Sequence, residues 1–226
     1  MSFKLAVFDI AGTTVADDSA VANAFCKAFE TYGYHEVSEE DVKPLMGYKK
    51  PLAIRMVLEK LGVDWDVELI EDIHDEFVGE MMDYYEYSPE VKPMVQAENV
   101  FLQLKEKGIR VALNTGFSKD IADVIVNRFQ WKEKGLIDDY IASDEVEEGR
   151  PQPFMIQTLM ERGGVDDPKE VVKVGDTEVD INEGRNAGCA LVVAVTTGAF
   201  TREQLNTYHP DHIIDDLSQL PALIFR

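Results

Sequence analysis

Leu5-Ala6-Val7-Phe8-Asp9-Ile10-Ala11-Gly12-Thr13-Thr14 is a short apolar run that stops at an acid, followed by a small-residue turn. Apolar runs of this length bounded by turn residues are the mark of strands buried on both faces of a parallel sheet. Four later segments have the same character: Val111-Ala112-Leu113, Tyr140-Ile141-Ala142, Val171-Val172-Lys173-Val174 and Ala190 to Val195. Helical patterns lie between them. Asn99 to Lys107 stops at Gly108, Ser118 is an expected N-cap for a helix reaching Phe129, and Pro153–Arg162 and Glu178–Ala187 read as two more. Alternating strands and helices predict an α/β fold, a doubly wound parallel-sheet (Rossmann-like) core.

The stretch 16–90 breaks this alternation. It reads as helices over Ser19–Tyr32, Pro51–Leu61 and Val67–Tyr87, with Gly33 and Gly62 at the breaks. We therefore expect a helical cap, 16–90, inserted into an α/β catalytic core made of 1–15 and 91–226.

Composition narrows the function classes. The 226 residues are 45% hydrophobic and 29% charged, with a formal net charge of -21. A chain this acidic, with no dense basic run, is expected to bind neither nucleic acid nor anionic membrane. Cys26 and Cys189 stand far apart, outside any CxxC pair, which argues against a zinc or redox motif. No apolar run approaches the roughly 18 residues of a membrane span, and the N-terminus meets an acid too early for a secretion signal. A cytoplasmic location is the expectation.

In open parallel sheets, ligands bind at the carboxyl ends of strands. Those ends carry Asp9, then Asn114-Thr115-Gly116, then Gly175-Asp176-Thr177-Glu178-Val179-Asp180, with Gly149-Arg150-Pro151 before the last strand pair. Brought together, they supply carboxylates, a hydroxyl and a guanidinium, a set suited to a phosphoryl group and one hard cation. Taken alone, each has a plainer reading: the acids as turn or cap residues, Thr115 as a turn hydroxyl, Arg150 as a surface ion-pair partner.

In this order, these motifs resemble those of the haloacid dehalogenase superfamily over nearly the whole length. The resemblance implies that Asp9 is a nucleophile forming an aspartyl-phosphate. It also implies that Asp9, the Ala11 carbonyl, Asp176 and Asp180 hold Mg²⁺, Asp180 acting through water. Thr115, Gly116, Gly12 and Ala11 would cradle the phosphoryl oxygens, with Arg150 binding substrate and orienting Asp9. Mg²⁺ would remove the repulsion between carboxylate and phosphoryl anion.

Ala11 stands where most phosphatases of the superfamily have an acid that protonates the leaving alcohol. General acid catalysis is worth roughly 10²–10⁴-fold, so an ordinary phosphomonoesterase is disfavoured. The chain is similar to the phosphonatase branch, in Asp9-Ile10-Ala11-Gly12-Thr13-Thr14, Gly149-Arg150-Pro151-Gln152-Pro153 and Lys173-Val174-Gly175-Asp176-Thr177 through Gly188. In that branch a cap lysine forms a Schiff base with phosphonoacetaldehyde, activating the carbon–phosphorus bond. Lys50, in Lys43-Pro44-Leu45-Met46-Gly47-Tyr48-Lys49-Lys50, falls at that position, with Lys49 and Arg55 as nearby cations. The branch's cap histidine is here Ala53, and its tyrosine after the Thr-Gly pair is Phe117.

Three readings stand at this point. The first is C–P hydrolysis of a small phosphonate through Lys50. The second is a P–O phosphatase acting, without an imine, on a small phosphorylated metabolite with an activated leaving group. The third is a non-catalytic sensor of a phosphoryl ligand. The resemblance also implies a homodimer through the cap. The first cap helix has one apolar face (Val21, Ala24, Phe25, Ala28, Phe29), which packing within the cap would explain equally well.

Overall fold

A computed structural model describes residues 2–225; Met1 and Arg226, at the ends of the expected core, lie outside the described residues. The elements in chain order are β1 (Leu5–Phe8), α1 (Ala20–Thr31), α2 (Glu39–Val42), α3 (Lys50–Leu61), α4 (Val67–Tyr87), α5 (Ala97–Glu106), β2 (Arg110–Thr115), α6 (Lys119–Phe129), β3 (Asp139–Ala142), α7 (Phe154–Gly163), β4 (Val171–Gly175), α8 (Glu178–Asn186), β5 (Leu191–Val195), α9 (Arg202–Thr207), β6 (His212–Ile214) and α10 (Leu220–Ile224).

The strands pair in parallel in the order β3-β2-β1-β4-β5-β6. Alternate residues of β1 face opposite ways. Ala6 and Phe8 join a cluster with Phe101 and Leu104 of α5 and Ile121 and Ile125 of α6. Leu5 and Val7 join one with Met155, Ile156 and Leu159 of α7 and Ile181 of α8. Helices on both faces bury both sides of each strand, which is why the core strands read as continuous apolar runs. The α/β doubly wound fold is as expected.

The main elements fall within a residue or two of expectation, and the differences have local causes. Ser19 does not cap α1, because its backbone is left-handed (φ 64°); Asp17 accepts the Val21 N–H instead, at 3.0 Å. Ser118 precedes α6 without a side-chain capping bond, and the Lys119 N–H donates to Asp144 at 2.9 Å. The one-turn helix α2, held by reciprocal bonds between Ser38 and Asp41, and the three-residue strand β6 are too short to leave a periodic signal.

Helices α1 to α4 form a layer over the carboxyl edge of the sheet. Two connecting segments lie side by side: the Ala16 N–H donates to Lys92 O at 3.1 Å and the Met94 N–H to Thr14 O at 2.8 Å. The apolar face of α1 packs against α4, with Phe25 and Phe77 ring centroids 4.8 Å apart. Val21, Ala24, Phe25, Ala28 and Phe29 are thus buried within one chain. Among the described residues, no helix is long and apolar enough to cross a membrane.

Candidate active site

Register brings the site together. Phe8 pairs with Leu113 on one side and Val174 on the other, so Asp9, Thr115 and Asp176 leave three adjacent strands at one edge. Strand order reverses at β1, the position where open α/β sheets bind ligands.

Arg150 is fully buried and lies at the centre of an ionic network. Its Nη1 is 2.6 Å from Asp9 Oδ1 and 3.0 Å from Asp180 Oδ1, and its Nε is 3.2 Å from Glu183 Oε2. Its Nη2 donates to Asn114 Oδ1 at 2.8 Å. Lys173 Nζ lies 2.9 Å from Asp180 Oδ1 and 3.1 Å from Glu183 Oε2, and donates to Asn114 Oδ1 at 2.6 Å. Thr177 donates its hydroxyl to Asp180 Oδ2 at 2.6 Å. Both oxygens of Asp180 therefore already face partners. Burial works against its charge, yet Arg150 and Lys173 hold its carboxyl below the usual range.

Sequence reading singled out Arg150 but not the role of Lys173, Asn114 or Glu183. A lysine inside the apolar run Val171–Val174 was the available signal, since an unpaired charge does not sit in a fully buried strand. Removing one partner of such a network strands the others in low dielectric, at about 3–5 kcal/mol. Arg150→Met is accordingly expected to lose several kcal/mol in denaturant unfolding.

Asp176 lies against two glycines. A Cβ on Gly198 would fall 2.0 Å from Asp176 Oδ2, and one on Gly12 2.8 Å from it. Asp176 accepts from the Thr13 hydroxyl at 3.1 Å and the Ala199 N–H at 2.7 Å. Its carboxyl is pushed well above the usual range by burial, then by the charges of Asp9 and Asp180. Burial likewise raises Asp9 to about 6, against the pull of Arg150.

These residues fit a divalent cation. Asp9, Asp176, Asp180 and Glu183 are buried, while Arg150 and Lys173 supply two positive charges, so the cluster is short of cations. Asp9 and Asp176 line one cavity together with Ala11. Among the described residues, no three His, Cys, Asp or Glu side chains are arranged to hold a metal by themselves. A hard divalent cation can be held by one or two carboxylates, with water and substrate oxygens completing its shell.

Opposite Asp9, the cap contributes Lys50, at the first turn of α3 and 3% exposed. Its Nζ lies 5.2 Å from the Phe117 ring centroid, 5.7 Å from that of Phe25 and 5.9 Å from that of Phe77. It donates to Tyr48 O at 3.3 Å. Burial lowers its pKa to about 8, although Asp9 pulls the other way. Lys50, Asp9, Thr115, Gly116 and Phe117 share the cavity, whose volume is about 30 Å³. That is room for one or two waters. Lys49 instead reaches Val146 O at 3.2 Å, and Arg55 pairs with Glu59 at 3.5 Å.

The model of the haloacid dehalogenase-like hydrolases matches residues 6–194, from the strand before Asp9 to the strand after Asp176. The chain belongs to that family. Its curated relatives include phosphonoacetaldehyde hydrolases. That of Paraburkholderia phytofirmans is 32% identical over 209 residues, covering 87% of this chain and 77% of the relative. That of Bacillus mycoides is 28% identical over 228 residues, covering 93% and 83%. Among solved structures, a phosphonoacetaldehyde hydrolase-like protein from Oleispira antarctica superposes with a TM-score of 0.87 at 23% identity, covering all of this chain and 92% of the other. The protein is thus an enzyme, a haloacid dehalogenase-like hydrolase of the phosphonatase-like branch, and the sensor reading is set aside.

In this hydrolase the cap loop and the core touch through glycine. A Cβ on Gly116 would lie 2.5 Å from both Gly47 O and Tyr48 O. Both partners are backbone, so Gly116→Ala is expected to wedge the cap away from the core. Activity should fall 10²-fold or more with little change in melting temperature, because a displacement of about 1 Å is enough to lose that much.

Proposed function

We propose that this hydrolase cleaves the carbon–phosphorus bond of phosphonoacetaldehyde or a closely related carbonyl phosphonate, with Lys50 forming a Schiff base and Asp9 taking the phosphoryl group. The observation that carries this reading is Lys50 itself, buried among three aromatic rings in one cavity with Asp9. A lysine must be neutral to attack a carbonyl, and its reference pKa is about 10.4. A pKa near 8 leaves a useful fraction neutral at physiological pH.

The steps follow from the chain's own residues. Lys50 Nζ condenses with the aldehyde, and the cationic imine draws electrons from the C–P bond. Asp9 attacks phosphorus, its carboxylate held by Arg150 Nη1 at 2.6 Å. The electron pair of the C–P bond passes into the imine, leaving an enamine on Lys50 and an aspartyl-phosphate on Asp9, which water then hydrolyses. Thr115, whose hydroxyl accepts the Phe117 N–H at 3.2 Å, is suited to receive a phosphoryl oxygen, whereas the N–H of Gly12, also expected in the cradle, donates to Val15 O at 2.8 Å. No proton is required at Ala11, because the leaving carbon departs as a neutral enamine.

Asp9, Asp176 and the Ala11 carbonyl would hold Mg²⁺, with Asp180 at one remove. The ion would screen the charge between the nucleophile and the phosphoryl group. Phosphate release is expected to stop in EDTA and return on adding Mg²⁺.

Trapping tests the imine. Borohydride added with phosphonoacetaldehyde should reduce an adduct onto Lys50, located by peptide mass mapping. Absence of the adduct, with full activity in Lys50→Arg, would leave the P–O phosphatase reading, which predicts turnover of aryl and acyl phosphates far above alkyl ones.

A further inference from the structure

Four titratable side chains line the cavity between cap and core: Asp9, Lys50, Asp176 and Asp17. Three have roles in the reading above. Asp17 has none, and no other side chain lining the cavity is an acid or base of suitable strength to move a proton on the cap side. Ala53 and Phe117 replace the histidine and tyrosine that the branch carries there, and Ala11 cannot donate.

Imine chemistry nevertheless needs an acid. The hydroxyl of the carbinolamine formed on Lys50 is a poor leaving group until it is protonated. We propose that Asp17 is the general acid that dehydrates this carbinolamine. The inference rests on the Schiff-base reading of Lys50.

The position suits the task. Asp17 lies in the connection between β1 and α1, partly buried, with Oδ1 accepting the Val21 N–H at 3.0 Å. Burial raises its pKa, opposed by the Val21 and Ala20 N–H groups and by the charge of Lys50. A carboxyl in that state holds its proton more readily than a surface aspartate, and the Lys50 cation selects its ionised form once the proton has gone.

The step balances. Neutral Nζ adds to the aldehyde carbon, and its surplus proton moves to the new oxygen, giving the carbinolamine. The Asp17 carboxyl then protonates that oxygen, the C–O bond breaks, and water leaves. The nitrogen lone pair forms the C=N bond of the cationic imine, in the cavity that Asp17 also lines. The enamine left by C–P cleavage takes a proton from water at its terminal carbon and becomes the product imine; as a second water adds to that imine, the Asp17 carboxylate takes its proton and the carboxyl is restored.

Asp17 also caps α1, so the test must separate the two roles. Asp17→Asn keeps an acceptor for the Val21 N–H and has no acidic proton. Its rate of borohydride trapping at Lys50 is expected to fall 100-fold or more, within the roughly 10²–10⁴-fold worth of general acid catalysis. Its melting temperature and the inhibition constant of inorganic phosphate should stay near wild type. In Asp17→Ala, added formate should restore part of the trapping rate. Trapping at the wild-type rate in Asp17→Asn would overturn the proposal. So would a parallel loss of trapping, thermal stability and phosphate binding, which would make Asp17 a cap only. If the wild type itself gives no Lys50 adduct, the Schiff-base reading fails first and this inference falls with it.

Discussion

Asp9→Asn is expected to abolish phosphate release, by 10⁴-fold or more, while leaving the protein folded. The amide is not a nucleophile toward phosphorus, and the other two carboxylates lining the cavity are engaged elsewhere: Asp176 is held by Thr13 and Ala199 and packed against Gly12 and Gly198, and Asp17 accepts the Val21 N–H. The fold should survive because Arg150 keeps Asp180 and Glu183 at 3.0 and 3.2 Å. Asp9 is also a carboxylate whose charge burial disfavours, so neutralising it removes a cost. Rapid quench with a phosphorus-labelled substrate checks the assignment. Wild-type enzyme should carry an acid-stable, base-labile phosphoryl group, and the variant none. A variant with measurable turnover would place the nucleophile elsewhere.

Lys50→Met is expected to abolish C–P cleavage and raise stability together. The pKa of Lys50 falls from 10.5 to about 8 on folding. At 1.36 kcal/mol per unit, this corresponds to about 3 kcal/mol of disfavoured charge at neutral pH. The sign follows from linkage. Above pH 10.5 the amine is neutral in both states, and folding bears no penalty. As pH falls from 10.5 to 8, the unfolded chain takes up the proton first, and the penalty grows; below about 8 it is complete. Methionine, apolar and of similar length, escapes it. The melting temperature of Lys50→Met should exceed wild type by roughly 6–12 °C at pH 7, given roughly 2–4 °C per kcal/mol at this chain length. The difference should vanish near pH 10.5. Equal melting temperatures at pH 7 would mean that Lys50 is hydrated in solution and is not the depressed-pKa amine the mechanism uses. The gain is the familiar exchange in which a functional site holds a destabilising group.

Both effects come from the cap closing over the strand ends, and that closure is where sequence and structure divide. The sheet was legible because strands covered on both faces read as short apolar runs, so β1 to β5 stood out. Asp9, Thr115, Arg150 and Asp176 were legible because open sheets bind ligands at strand ends and chemistry limits which residues serve there. The short pieces α2 and β6 were not, since one turn or three residues carry no period.

The apolar runs and their spacing thus pointed to the fold class, and the motifs at the strand ends carried the family resemblance, which implies Asp9 as the nucleophile. They could not show that Lys173, Asn114 and Glu183 join Arg150 in one buried network, because these residues lie on β4, β2, α8 and the loop before α7 and meet only in the folded chain. Nor could they decide between a solvated Lys-Lys pair and a buried amine. Lys49 and Lys50 are neighbours in the chain, yet the first reaches a carbonyl across the cap–core contact while the second turns into the Phe25, Phe77 and Phe117 rings. Burial is a property of what the other elements place around a side chain. A pKa shift driven by desolvation is therefore decided by tertiary structure alone, even where the residue that carries it can be named from the sequence.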